Sequence, residues 1–118
     1  MTRKEYFSKI NSIKNLAGEV KLIEKVYNCS LPIIIKQMIS YSSNSVFFED
    51  GYRTLSTDEI QNAQSDLHID FISLSIIPVI DCGENDFIVY NFSQNTWSKF
   101  NITDECIFKK RTSLLELL

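Results

Sequence analysis

Three carboxylates, Asp81, Glu84 and Asp86, fall within six residues between two runs that are almost wholly apolar, 76–80 and 87–92. Residues of this type at this spacing suit three kinds of chemistry. A calcium loop counted from Asp81 needs oxygen ligands at positions 1, 3 and 5, glycine at 6 and glutamate at 12. Gly83, Asp86 and Phe92 occupy the third, sixth and twelfth places, so that pattern fails. A general acid and base need a cleft that holds two carboxylates at fixed separation in unequal surroundings, which a short polar turn lacks. The third use is a fixed patch of negative charge presented to a cationic partner.

The other reactive side chains are sparse. His68 is the one histidine, it lies between Leu67 and Ile69, and neither a nucleophile motif nor a phosphate-cradling glycine loop accompanies it. Cys29, Cys82 and Cys106 are widely spaced, with no CxxC, so neither a zinc site nor a disulfide framework is expected. Acidic neighbours around Cys82 should raise its thiol pKa and make the reactive thiolate rarer. The expectation is a chain that is not an enzyme, with no catalytic residues, no metal site and no cofactor.

Charge is segregated along the chain. Residues 1–43 carry seven Lys or Arg against three acids, whereas residues 44–108 carry eleven acids against Arg53 and Lys99 alone. So acidic a middle disfavours direct contact with nucleic acid, whose phosphates need cations, and favours a basic protein partner. Trp97 and the aromatics near it lack interleaved bases other than Lys99, so they read as core rather than a base-stacking platform. Within the acidic stretch, Asp81, Glu84 and Asp86 are the first candidates for partner contact, with Glu49, Asp50 and Asp70 as further ones.

The elements that must position these residues follow from periodicity. Tyr6, Ile10, Ile13 and Ala17 recur at helical spacing, with Gly18 at the expected stop. Val20, Ile23, Val26 and Tyr27 mark a second helix. Pro32 opens a third, running to about Ser42 with Ile35, Met38 and Ile39 on one side. Asp50-Gly51 suits a tight turn between Phe47-Phe48 and 52–55, which predicts a hairpin. Ser56-Thr57-Asp58-Glu59 is a capping box, with Leu55 and Ile60 placed as a hydrophobic staple, so a helix begins there. The two apolar runs then predict central strands joined by the acidic turn, with a further strand over 97–100 and a short closing helix at "TSLLELL".

This order predicts one α+β domain over 1–118, a mainly antiparallel sheet with N-terminal helices packed against it and a short C-terminal helix. No apolar stretch approaches the roughly 18 residues of a membrane span. The polar opening "MTRKEYFSKINSIKNL" has no signal-peptide core, so a cytoplasmic location away from the membrane is expected.

Taken in order, "IEKVYNCSLP", "YRTLSTDEI" and "IIPVIDCGENDFIVYNF", with Trp97 downstream, resemble the SUKH superfamily of immunity proteins, most clearly over 20–118. The features that carry the likeness are Ile23 and Glu24, Leu31-Pro32, Leu55 to Ile60, Ile77-Pro78, the acidic turn, and 87–91. The family's Asn-Gly-Gly after the Leu-Pro helix is reduced to Asn44, and Ile33 to Ile35 replace its aromatic. The resemblance implies a binding fold with no catalytic residues, used in bacteria to neutralise toxins of polymorphic secretion systems, many of them nucleases with basic surfaces. The implied partner is a cognate protein toxin. The alternative it leaves is a regulatory or scaffolding module that binds some other protein.

Overall fold

Successive side chains of a strand point to opposite faces of its sheet, so a strand buried at every position must be covered on both sides. Residues 76–80 and 87–90 are buried at every position. In the computed structural model, which describes residues 1–118, they are the hearts of β2 (Ile76–Gly83) and β3 (Asp86–Asn91). Around them lie β1 (Arg53–Thr54), β4 (Thr96–Asn101) and β5 (Cys106–Arg111). The five strands run β1-β2-β3-β4-β5, each antiparallel to its neighbour.

Three helices precede the sheet: α1 (Arg3–Asn11), α2 (Glu19–Tyr27) and α3 (Ile33–Tyr41). Three shorter ones join β1 to β2: α4 (Thr57–Gln61), α5 (Ala63–Leu67) and α6 (Phe71–Leu74). A 3-10 turn, Leu114–Leu117, closes the chain. All of them contribute to one core of 28 buried hydrophobic residues, which makes the molecule an α+β domain of the expected kind.

Long-range hydrogen bonds tie the helices together. Glu24 Oε2 accepts the Leu31 amide at 2.8 Å, linking α2 to the entry of α3, so the glutamate and Leu-Pro of the sequence motif meet in space. Tyr27 donates its buried hydroxyl to the Ile60 carbonyl at 2.8 Å, joining α2 to α4. The capping box forms in full, with Ser56 accepting from the Glu59 amide and Glu59 from the Ser56 amide. Leu55 and Ile60, the expected staple, are both buried.

Several expectations need correction. Helix α1 ends at Asn11 rather than at Gly18, because the Ser12 hydroxyl takes the Lys9 carbonyl and the Ala17 amide is drawn to Ser40 Oγ, 2.8 Å away. Gly18 caps the start of α2 instead. The helix that begins at Ser56 breaks at Asn62, with φ −103° and ψ 12°, and resumes as α5. The turn at Asp50-Gly51 exists, with Gly51 at φ +93°, but its hairpin shrinks to a single Phe47 to Arg53 bridge, because Arg53 and Thr54 pair onward with Asp81 and Ile80 of β2. At the C-terminus Ser113 accepts from the Leu115 amide and Glu116 takes the Thr112 hydroxyl.

Candidate functional site

The register of the sheet gathers residues that are far apart in the chain. Arg53 lies opposite Asp81, Gly83 opposite Asp86, Asp86 opposite Asn101 and Asn101 opposite Cys106. Three turns therefore share one end of the sheet: the one at Asp50-Gly51, the one between β2 and β3, and the one between β4 and β5. The latter two touch, since the Ile102 amide donates to the Asn85 carbonyl at 2.9 Å. Glu49, Asp50, Glu84, Asp86, Asp104 and Glu105 are brought together there.

The turns are held by local chemistry. Glu84 and Asn85 adopt left-handed backbone conformations at φ 53° and 67°, and Gly83 lies at φ +84°. Asp81 Oδ1 accepts the Gly83 amide at 2.8 Å, and Asn101 Oδ1 accepts the Thr103 and Asp104 amides at 3.0 Å each. The charged groups thus project from anchored turns on a hydrogen-bonded sheet, at a low conformational cost for any partner that meets them.

The six acids singled out in the sequence fare differently. Glu84 is an exposed turn residue as expected, and Glu49 is exposed with no cationic partner. Asp50 is exposed but pairs with Arg3. Asp81 and Asp86 are not turn residues: they belong to β2 and β3 and are only half exposed. The reason is lateral bonding, since Asp81 Oδ2 meets Arg53 Nη2 at 3.2 Å and Asp86 Oδ1 accepts from Asn101 Nδ2 at 2.8 Å. Asp70 accepts the Ser73 amide at 3.2 Å and serves as the cap of α6.

Sequence reasoning passed over Arg53. Its Nη1 and Nη2 donate to the two oxygens of Glu59 at 2.8 and 2.9 Å, and Nη1 also reaches Ser45 Oγ at 3.0 Å. The hydrogen bond from Arg53 is the largest influence on Glu59; burial opposes it, the Ser56 amide and the Arg53 charge reinforce it, and the carboxyl is held down at about 2. The signal was available, because Arg53 is one of only two bases among eleven acids over 44–108. Asp104 and Glu105 belonged to the same charge pattern, yet only the β3 to β4 pairing brings their turn against that of Glu84.

Next to Arg53 is a cleft of about 160 Å³. Arg53, Glu59, Asp66 and Asp81 form its polar side, and Leu55, Leu67 and Phe87 its apolar wall. Asp66 is exposed and pairs with no cation. Arg53, Asp81 and Phe87 stand in one cross-strand row on one face of the sheet, so the cleft adjoins its acidic end.

The remaining reactive groups are dispersed. His68 is an exposed helix cap at φ 57°. All three cysteines are free thiols, and Cys82 lies in β2, where burial above all pushes its thiol up to about 11, with Lys99 pulling the other way. The acidic neighbours expected to raise it are the smaller influence. No three His, Cys, Asp or Glu side chains converge as a metal-binding group, and no helix is long and apolar enough to cross a membrane.

No family model matches this chain, and no curated protein or solved structure matches it.

Proposed function

We propose that this chain is an immunity protein of the SUKH kind, which binds a cognate bacterial toxin through the acidic end of its sheet and blocks the toxin's basic working surface. The observation that carries the reading is the convergence of three turns whose Glu49, Glu84, Asp104 and Glu105 have no cation within salt-bridge distance. Carboxylates left unpaired on a rigid frame repel one another, a cost that a basic partner relieves on docking. A nuclease must display cations to hold phosphates, so it offers such a surface. The sequence resemblance, in which the acidic turn is one of the shared features, supports the same reading.

The test is binding kinetics against the purified toxin domain encoded beside this chain's gene, measured at low and high salt. Electrostatic docking predicts an association rate that falls steeply as ionic strength passes roughly 0.15 M, where the Debye length is about 8 Å. An association rate indifferent to salt would refute the acidic end as the docking face.

A further inference from the structure

The cleft beside Arg53 differs chemically from the turns, and it defines what a partner must insert there. Resting on the reading of the chain as a binder of a basic protein, we propose that this cleft is the receptor for a single lysine or arginine side chain of that partner.

Charge is the first ground. Three carboxylates, Glu59, Asp66 and Asp81, face one guanidinium, which leaves a negative surplus. Arg53 is already engaged by Glu59, Asp81 and Ser45, so it is not free to receive an anion. Asp66 accepts no side-chain hydrogen bond and pairs with no cation, and a carboxylate has acceptor sites for several donors.

Shape is the second ground. Leu55 and Phe87 are 7% and 6% exposed and face the same cleft as Leu67. An apolar wall next to a carboxylate matches a side chain with a methylene stem and a cationic head, because the stem is buried while the head keeps its ionic partners. A purely polar cation would leave that wall wet, and an aliphatic ligand would leave Asp66 unpaired. A volume of about 160 Å³ suits one such side chain rather than a peptide segment.

Position is the third. Asp81 belongs both to the cleft and to the strand that leads into the acidic turn, so a side chain entering here sits beside a partner surface docked on the sheet end.

The experiment is an NMR titration of the isotope-labelled protein with n-butylguanidinium chloride, using n-butanol and sodium chloride as matched controls. Saturable shifts are expected at Asp66, Leu67 and Phe87, with a Kd of about 1 to 10 mM for so small a fragment. Asp66→Asn should weaken binding about fivefold, the scale of one partly solvated ion pair, while Glu116→Gln, in the closing turn against β4 and β5 at the far edge of the sheet, should leave it unchanged. Absence of saturation at these residues, an equal response to butanol, or indifference to Asp66→Asn would overturn the receptor. Toxin protection reports separately: an Asp66→Asn protein that binds the fragment about fivefold more weakly yet holds the toxin as tightly as wild type sinks the cleft's part in docking alone. A wild-type protein that binds the fragment but not the toxin sinks the immunity reading alone.

Discussion

Arg53 holds Glu59 in a two-point fork, Nη1 to Oε1 at 2.8 Å and Nη2 to Oε2 at 2.9 Å. Through the same guanidinium it reaches Asp81, 28 residues further along the chain. Glu59 also closes the capping box of α4, so one side chain links the start of a helix to two strands. Arg53→Met should destabilise the fold by about 1 to 3 kcal/mol, because two partly buried carboxylates lose their donor. Arg53→Lys should recover only part, since an ammonium cannot reproduce the fork. Urea midpoints for the three proteins check both statements.

The same pair sets an acid limit on stability. Glu59 titrates at about 2 in the folded chain against an ordinary value of 4.5. A carboxyl whose folded value is depressed stabilises the fold fully above its unfolded value, and that contribution is lost as pH falls toward the folded one. Solvent screening of a side chain 38% exposed reduces the effect to about 1 kcal/mol. Stability should therefore decline between pH 5 and pH 2, and Glu59→Gln should flatten the slope of midpoint against pH in that window.

Tyr27 and Phe100 test the core. Tyr27→Phe removes the hydroxyl that serves the Ile60 carbonyl and should cost about 1 to 2 kcal/mol, an unmet buried acceptor being the larger part. Phe100 is fully buried against Phe71, with ring centroids 5.9 Å apart, so Phe100→Ala should cost about 3 to 5 kcal/mol through lost transfer energy and a cavity. A denaturant midpoint that hardly moves in Phe100→Ala would contradict the packing of α6 on the sheet.

The thiols should separate by exposure. Cys106 is exposed, whereas burial raises the pKa of both Cys29 and Cys82. A thiol reagent at pH 8 should label one site per chain quickly and the other two only slowly, and Cys106→Ser should abolish the fast phase. Equal rates at all three positions would contradict the placement of Cys82 in β2.

What could be read from the sequence was local or periodic. The Ser56 to Glu59 box was legible because its partners are three residues apart, and β2 and β3 because unbroken apolar runs of strand length have few other uses. The edge strand β5 was not, since Cys106 to Arg111 is exposed at nearly every position and has no burial pattern to betray it. Helix α6 is only four residues long, too short for a helical period. The acidic turn was recognised as a patch of charge, but the fate of Asp81 depended on Arg53, and no spacing rule links residues that meet only through strand register. Asp104 and Glu105 were hidden for the same reason.

Docking of the acidic end on a toxin can be read from the growth of cells that co-express the adjacent toxin gene with a charge-reversed protein. Glu84, Asp104 and Glu105 suit the reversal because all three are exposed and none has an ionic partner, whereas changing Asp81 would also release Arg53. Glu84→Lys, Asp104→Lys and Glu105→Lys combined should leave the melting transition close to wild type and abolish protection. Full protection by the folded triple variant would contradict docking through the acidic end.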